Sequence, residues 1–432
     1  MIKNYLLFVL LASLSQVTFA QTALEDFLYK TEKINTDSVL IQKDGVTVFE
    51  KYEHGYTANS PHLLWSTTKS ISATILAAAI QDGIITLDES VCANMADPSI
   101  YTSCDIKIRD LLSWSSGAQW AEEYENGDAT KSSVVQMLAG DGKFDMFNFF
   151  LSHPLSSVPG SHYSYSTGDS TAMMGALKLA LTKKGLNAAT YPWTALFAPL
   201  GITQATLETD KSGSFIGGAY GYMTPQDLIK IGELYTNNGK WNGKQILPEW
   251  WTQFALSTVP AYDLSKNEYF LPQYSWWRFN SSRASKAIPA DTFVTLGHWG
   301  QYLIVIPSKK IIAVRFGDDR DANFNLDQFI ILLLSQFDPE SSTYFELATS
   351  PAPAYASPLA ALGTHHVAKM ICSCLFVSKQ TEAYCIDYAR TNPNIAKSKI
   401  DYENKTVEST FAGFSKARAV FLNEQLGCQL LQ

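Results

Sequence analysis

Hydrophobic positions along this chain change from strand-like alternation to helical runs and then back again. Apolar residues at 39–41, a turn signal at Lys43-Asp44-Gly45 and a second apolar run ending at Tyr52 predict a β-hairpin over Ser38 to Tyr52. The next run, Ser66 to Ile80, is rich in Ala, Ile and Leu and apolar on most sides. This pattern predicts a buried central helix that ends near Asp82-Gly83.

The middle of the chain, from about Leu87 to Thr258, has mostly helical periodicity, and strands return late. Apolar, β-branched runs predict three strands and a closing helix, at Phe293 to Leu296, Tyr302 to Ile306, Ile311 to Phe316 and Leu326 to Phe337. Strands from the two ends therefore flank a helical middle. The pattern predicts an α+β fold, in which an antiparallel β-sheet is flanked by helices and carries an inserted helical subdomain.

Four segments with different composition divide the chain. Residues 1–20 combine Lys3, a short apolar run and small residues at 18 and 20, a pattern typical of a signal peptide. Residues 21–348 hold the predicted sheet and helices, residues 349–358 form a Pro/Ala linker, and residues 359–432 form a cysteine-containing appendage. The alternative for the first segment is a buried N-terminal helix. The signal favours a periplasmic or secreted protein.

Composition excludes some classes of partner. The chain has 432 residues, of which 46% are hydrophobic, enough to bury a sizeable core. Its formal net charge of −8 is spread along the sequence, so it lacks the concentrated basic surface that nucleic-acid binding needs. After residue 20, no segment is apolar enough to span a membrane. The expected partner is a small-molecule amide, ester or peptide substrate.

The six cysteines fit an oxidising compartment. Cys92 and Cys104 are close enough in sequence to pair locally. The other four, Cys372, Cys374, Cys385 and Cys428, allow three pairings, among which the sequence does not choose. A zinc site formed by His365, His366 and these cysteines is the alternative, but their spacing matches no standard metal pattern.

Ser66 and Lys69 form the only Ser-x-x-Lys tetrad in the chain. Because residues three apart share one face of a helix, the ammonium and the hydroxyl can meet. A serine hydroxyl needs a base before it can attack a carbonyl, and a lysine becomes that base when burial lowers its pKa. The alternative is that Ser66 only caps the helix. The chemistry requires neither a metal nor an organic cofactor.

Two further segments carry candidate site residues. Tyr165 lies in the segment 159–168, and a tyrosine beside a lysine can relay a proton, although a packed aromatic is the simpler interpretation. The segment Gly297-His298-Trp299-Gly300-Gln301 leads into a predicted strand, where a backbone N–H can donate to an oxyanion. The alternative for this segment is a bulge glycine beside a surface histidine.

The three segments occur in the order Ser-x-x-Lys, Tyr-x-Thr and His-x-Gly, which resembles the penicillin-recognising serine hydrolase superfamily. The resemblance is to its class C β-lactamase-like branch, and among that branch especially to 6-aminohexanoate-dimer hydrolases and esterases. It covers about Asp37 to Phe337. Supporting stretches are Ile108 to Ser113 with Ser116-Gly117, Pro159-Gly160, Met223 to Leu228, Gly239 to Trp241 through Leu247-Pro248, Trp276-Trp277 and Gly297 to Gln301.

The resemblance implies a β-lactamase/transpeptidase-like fold and a role for each motif residue. Ser66 would be the acylated nucleophile, and Lys69 its base, sharing the proton with Tyr165. The N–H groups of Ser66 and Gln301 would form the oxyanion hole, and Gly300 would lie beside it. The appendage has no role that the family supplies.

Two departures from the family pattern concern the substrate. Thr167 occupies the usual asparagine position of Tyr-x-Asn, and His298 replaces a lysine that helps to hold the carboxylate of β-lactams. A histidine is mostly neutral at pH 7. We therefore expect an amidase or esterase rather than an efficient β-lactamase, and no glutamate is assigned to deacylation.

Other functions remain open at this stage. They are a D-alanyl carboxypeptidase, a weak class C-type β-lactamase and, as a non-enzyme, a penicillin-sensing module that acylates and stalls. An α/β-hydrolase is disfavoured because the chain has no Gly-x-Ser-x-Gly.

Overall fold

The computed structural model describes residues 21–123, 128–337, 360–390, 396–411 and 415–431. The predicted signal peptide and linker, residues 1–20 and 349–358, lie outside the described residues. Within those ranges, no helix is both long and apolar enough to cross a bilayer.

The elements are numbered in chain order. The helices are α1 (21–29), α2 (Thr67–Gln81), α3 (Ile108–Leu112), α4 (Ser133–Ala139), α5 (Met146–Leu151), α6 (Thr167–Lys183), α7 (Pro225–Thr236), α8 (Trp251–Ala255), α9 (Leu326–Ser335), α10 (Ala360–Phe376) and α11 (Glu382–Tyr388). The strands are β1 (Thr36–Lys43), β2 (Val46–Tyr52), β3 (His62–Leu63), β4 (Thr206–Leu207), β5 (Gly221–Met223), β6 (Lys240–Trp241), β7 (Lys244–Gln245), β8 (Phe270–Pro272), β9 (Trp277–Phe279), β10 (Phe293–Gly297), β11 (Gln301–Ile306), β12 (Ile311–Gly317), β13 (Lys397–Asp401), β14 (Thr406–Phe411), β15 (Ser415–Asn423) and β16 (Gly427–Leu430).

A seven-stranded antiparallel sheet contains strands from distant parts of the chain, in the order β2-β1-β12-β11-β10-β9-β8. The N-terminal hairpin joins the late strands because β1 pairs with β12, with Val39 opposite Arg315 and Ile41 opposite Ala313. This arrangement confirms the predicted α+β fold with an antiparallel sheet. The three-residue strands β8 and β9 at one edge were not predicted.

Helix α2 packs against this sheet and is buried along nearly its whole length. Its residues from Thr67 to Ala79 are all buried, as the Ala- and Ile-rich sequence predicts. The helix ends before Gly83, whose φ of +65° is the left-handed conformation that favours glycine after a helix. Helix α6 packs against α2 on one side and α5 on the other, and this helical block holds the second half of the site.

The start of α2 is fixed by a small second sheet with strand order β3-β5-β4. His62 and Leu63 pair with Met223 and Tyr222, and the Leu64 amide donates to Gly221 O at 2.8 Å. The Thr68 hydroxyl accepts from the Gly221 amide at 3.0 Å. The chain therefore enters the helix from an anchored strand, so Ser66 has a defined position.

The described residues 360–390, 396–411 and 415–431 form α10 and α11 with the four-stranded sheet β13-β14-β15-β16. Two disulfides, Cys372–Cys428 and Cys374–Cys385, connect these elements, while Cys92–Cys104 forms the predicted local bridge. Since all six cysteines are paired, the alternative zinc site has no thiolate ligands.

A buried ion pair joins this C-terminal unit to the rest of the molecule. Lys369 Nζ lies 2.8 Å from the Glu208 carboxylate, with side-chain exposures of 4% and 0%. The same carboxylate accepts from the Ser373 hydroxyl at 2.6 Å and from the Cys428 amide at 2.7 Å. Apolar residues from both sides, such as Tyr222 and Ile371, belong to one continuous core. The unit is therefore packed against the hydrolase fold.

Candidate active site

Ser66 and Lys69 meet at the N-terminus of α2. Ser66 is the N-cap residue, and Lys69 Nζ lies 2.9 Å from Ser66 Oγ. The preceding residue, Trp65, has a φ of 45°, a left-handed conformation that is costly for an aromatic residue and is found at functional sites. The Ser66 hydroxyl makes no hydrogen bond that would cap the helix. The geometry therefore favours a nucleophile and its base over a cap.

Lys69 is almost fully enclosed, with 1% of its surface exposed. Besides Ser66, its ammonium donates to Thr167 Oγ1 and to Gly218 O, both at 2.9 Å. Burial lowers the pKa of Lys69 to about 8, although the negative charge of Glu122 raises it. A lysine with this pKa is partly neutral near pH 7, as a general base must be.

Tyr165 and Thr167 reach the lysine from the start of α6. Lys69 Nζ lies 4.8 Å from the centre of the Tyr165 ring. This ring also packs against Trp114 and Trp277, at centroid distances of 4.8 Å and 5.8 Å. The structure therefore brings Ser66, Lys69, Tyr165 and Thr167 together, with an aromatic wall on the tyrosine side.

The turn between β10 and β11 contacts the residues on either side of Ser66 in the sequence. The ring of His298 packs edge-on against Trp65 at 5.6 Å. The Thr67 hydroxyl donates to Gln301 O at 3.1 Å, which connects the first turn of α2 to the first residue of β11. This contact holds the two backbone segments that were predicted to form the oxyanion hole next to each other. The roles of their N–H groups remain predictions.

The Gln301 side chain points away from Ser66 into the protein. Its amide nitrogen donates to His298 O at 3.0 Å and to Gly317 O at 2.7 Å, and its oxygen accepts from the Gly317 amide. The side chain is fully buried. Any contact of Gln301 with substrate would therefore use its main chain.

Gly300 lies in this turn rather than in the strand. Its φ is +92°, and a Cβ added to it would lie 2.1 Å from Arg315 Nη1 and 2.5 Å from Asp319 Oδ2. The buried Arg315 guanidinium donates to Gly300 O at 3.0 Å and also pairs with Asp319. The space left by glycine is thus filled by a cation that orients the Gly300–Gln301 peptide.

The C-terminal unit contacts the same turn from behind. The Tyr388 ring at the end of α11 lies 5.8 Å from the Trp299 ring. The Arg320 guanidinium stacks on both, 4.2 Å from the Trp299 ring centre and 5.3 Å from the Tyr388 ring centre. On α10, burial and the nearby charges of Arg320 and His298 lower the pKa of His366 to about 4. The appendage therefore supports one wall of the site.

Glu122 is a site residue that the sequence did not identify. Its Oε2 accepts from the Thr167 amide at 2.9 Å and from Trp120 Nε1 at 2.6 Å, and its Oε1 accepts from the Thr167 hydroxyl. Burial raises the pKa of this carboxyl group, while the Lys69 charge and these hydrogen bonds lower it. Glu122 lies in a loop without periodicity, so the only available signal was an acidic pair, Glu122-Glu123, between two site motifs.

Comparisons with known proteins identify the family to which the chain is similar. The sequence profile of the family described as Beta-lactamase matches residues 22–331. A 6-aminohexanoate-dimer hydrolase of Paenarthrobacter ureafaciens is 21% identical over 257 residues. That alignment covers 55% of this chain and 61% of the relative, less than two thirds of its length.

Solved structures show the same fold. A Bacillus anthracis protein assigned by inference as a 6-aminohexanoate-dimer hydrolase has a TM-score of 0.59 at 20% identity, covering 75% of this chain and 81% of its own. The structure of SurE with D-Leu has a TM-score of 0.55 at 14% identity, covering 94% of this chain and 89% of its own. The second likeness extends into the C-terminal unit.

Proposed function

This chain belongs to the β-lactamase family of serine hydrolases, and from that membership we propose that it cleaves an amide or ester bond through an acyl-enzyme on Ser66. The observation that carries the proposal is the 2.9 Å contact between Ser66 Oγ and the buried Lys69 amine. A buried lysine within hydrogen-bonding distance of a serine hydroxyl is the arrangement that an activated nucleophile requires.

In the acylation step, neutral Lys69 takes the Ser66 proton while Ser66 Oγ bonds to the substrate carbonyl carbon. The carbonyl oxygen becomes an oxyanion, which the backbone N–H groups of Ser66 and Gln301 stabilise. The carbon–nitrogen or carbon–oxygen bond to the leaving group then breaks. Tyr165 exchanges protons with the Lys69 ammonium and delivers one to the leaving group.

Deacylation uses the same residues, with a water molecule in place of Ser66 as the nucleophile. A water molecule replaces the leaving group and gives a proton to neutral Lys69 as its oxygen bonds to the acyl carbon. The ester bond to Ser66 breaks, and Ser66 Oγ regains a proton. The product is a carboxylic acid, and the enzyme returns to its starting state.

The aromatic walls of the site favour an acyl group with an apolar chain. Tyr165, beside Lys69, packs against Trp277, and Trp65, which precedes Ser66, packs against His298 and Trp299. With His298 where family members carry a lysine, the turn lacks that lysine's permanent charge for binding a substrate carboxylate. The related 6-aminohexanoate-dimer hydrolase supports a linear amide as the first substrate to test.

Export of the protein is part of this proposal. The signal-like residues 1–20 and three disulfides support a periplasmic or secreted location, because disulfides persist in oxidising compartments. The mature chain would begin at Gln21. The mass of protein recovered from the periplasm or culture medium tests this point, and an intact residue 1–20 segment would refute it.

The experiment that tests the function is intact-mass spectrometry after exposure to a fluorophosphonate, a penicillin, an aryl ester and a 6-aminohexanoate dimer. Ser66→Ala should abolish both the adduct and turnover while the fold is retained. Ser72→Ala is the matched control, because Ser72 lies on the same helix and its hydroxyl only donates to Gly217 O. That variant should be labelled like the wild type.

Each outcome identifies one of the candidate functions. Turnover of the aryl ester or amide with slow release of penicillin supports the proposal. Rapid release of penicillin indicates a β-lactamase, and cleavage of D-alanyl peptides in parallel assays indicates a carboxypeptidase. An adduct without turnover of any substrate indicates a sensor, and labelling of Ser66→Ala at the wild-type rate contradicts the mechanism.

A further inference from the structure

Glu122 is connected to the nucleophile by a continuous row of polar contacts. Ser66 Oγ and Thr167 Oγ1 each lie 2.9 Å from Lys69 Nζ, on two different hydrogens of the ammonium. The Thr167 hydroxyl in turn donates to Glu122 Oε1. The row therefore runs from hydroxyl to amine to hydroxyl to carboxylate.

We propose that Glu122 is a positioning residue whose carboxylate, acting through the Thr167 hydroxyl, stabilises the ammonium that Lys69 becomes when it takes the Ser66 proton. This inference rests on the proposed function, since it assumes that Lys69 is the base. It concerns a residue that lies outside the three motifs.

The directions of the hydrogen bonds support this assignment. The Thr167 oxygen accepts from Lys69, so its own hydrogen is free to point at Glu122. The Glu122 carboxylate is fixed by two more donors, the Thr167 amide and Trp120 Nε1. A fixed carboxylate that stabilises the conjugate acid of the base is the arrangement found in Ser-His-Asp triads.

The charges around Lys69 agree with this arrangement. Burial lowers the pKa of Lys69 and raises the pKa of Glu122, and in each case the opposite charge of the other group acts against burial. The other titratable groups facing Glu122 are Asp169 on α6 and Tyr163 in the preceding segment, whose pKa values its charge raises. Tyr165 faces Lys69 from the same segment.

Thr167 has a specific role in this network, as the residue between Lys69 and Glu122. Its hydroxyl can accept from Lys69 and donate to Glu122 at the same time. Its amide also donates to the same carboxylate at 2.9 Å. The residue at the family's asparagine position is therefore the link between lysine and glutamate in this chain.

The experiment compares wild type, Glu122→Gln and Asp169→Asn by the rate of Ser66 labelling with a fluorophosphonate from about pH 5 to 10. This readout does not depend on knowing the substrate. Without the Glu122 charge, Lys69 loses its proton more readily, so the acid limb of the profile should move down by about one pH unit. The plateau rate should fall about tenfold or more, because the ammonium formed during attack is less stabilised.

Asp169→Asn is the matched control, because it removes a buried carboxylate near Glu122 without removing a partner of Lys69. Burial raises the pKa of Asp169 to about 7, and its carboxylate accepts from Ser116 rather than from the lysine. The acid limb of this variant should stay at the wild-type position. If the acid limb disappears in Asp169→Asn, the limb reports the titration of Asp169 rather than Lys69, and the proposal is overturned.

Two variants of the bridging residue complete the test. Thr167→Ser keeps the hydroxyl, so its Ser66 should be labelled at a rate within about threefold of the wild-type rate. The labelling rate of Thr167→Val should fall at least as far as that of Glu122→Gln. A Glu122→Gln protein with a slower plateau but an unmoved limb would show that Glu122 only anchors its loop. Circular dichroism and thermal melting establish that each variant is folded.

Failure of the inference can be told apart from failure of the proposed function. If wild type is labelled at Ser66 and only the limb of Glu122→Gln is unmoved, the nucleophile stands and the role of Glu122 is wrong. If wild type is not labelled, or Ser66→Ala is labelled equally well, the proposed function itself is wrong.

Discussion

Replacing Lys369 by Met removes the cation of the ion pair that joins the C-terminal unit to the hydrolase fold. The Glu208 carboxylate then stays buried with two donors, the Ser373 hydroxyl and the Cys428 amide. Removing one partner of a buried pair costs about 3–5 kcal/mol of unfolding free energy, because the remaining charge has no counterion. We expect a loss of this size.

The pair itself contributes much less than this loss. Burial raises the pKa of Glu208 and lowers the pKa of Lys369, and in both cases burial outweighs the attraction between the charges. The double variant Glu208→Gln with Lys369→Met has no buried charge, and the Gln oxygen can still accept from Ser373 and Cys428. It should therefore be more stable than Lys369→Met by about 2 kcal/mol or more.

The assay is urea unfolding followed by tryptophan fluorescence and by labelling of Ser66, so that coincident transitions can be checked. Lys379→Met is the control, because Lys379 and Glu424 are 58% and 65% exposed at 3.5 Å and such pairs contribute little. A loss below about 1 kcal/mol for Lys369→Met, or a double variant as unstable as the sum of the single ones, would refute the reasoning.

Two further predictions concern the site directly. Lys69 has a pKa of about 8 and acts as a base only when it is neutral. In steady-state assays, kcat/KM for an aryl ester should therefore fall tenfold per pH unit below about pH 8 and level off above it. A flat profile between about pH 6 and 9 would contradict this role. Gly300→Ala should lower kcat about a hundredfold, because the added Cβ would meet Arg315 and shift the turn that carries Gln301. Gly243→Ala is its control, with a similar φ of +79° and no atom within 4 Å of the added Cβ, and equal kcat losses in both variants would refute the steric explanation.

Local patterns predicted the elements that depend on neighbouring residues. The hairpin at Ser38 to Tyr52 and helix α2 formed where alternation and apolar periodicity indicated, because those signals lie within a single element. The spacing of Ser66 and Lys69 also predicted their contact, since a helix fixes the geometry of residues three apart. Strand signals on both sides of the helical middle predicted one shared antiparallel sheet, although they did not predict that β1 pairs with β12.

Features that depend on tertiary contacts were not accessible in the same way. Glu122 reaches Lys69 through a loop whose path no periodicity encodes. The pairing of Cys372 with Cys428 requires α10 to lie against β16, and no sequence signal distinguishes it from the other possible pairings. Likewise, Gly300 was predicted to lie beside the oxyanion hole, but the sequence did not indicate that its missing side chain makes room for Arg315.

The pairing of β1 with β12 also has a consequence for how this protein is made. Thr36 and Arg315 form a hydrogen bond across 279 positions, and Thr67 contacts Gln301 across 234. Contacts this distant in sequence form late in folding, because a long loop must close first. The chain emerges from the ribosome N-terminus first, so Ser66 is synthesised long before its partner turn. Under the proposed mechanism, hydrolysis therefore begins only after the strands that contain Gln301 and Arg315 have been made, and a chain truncated before them is inert.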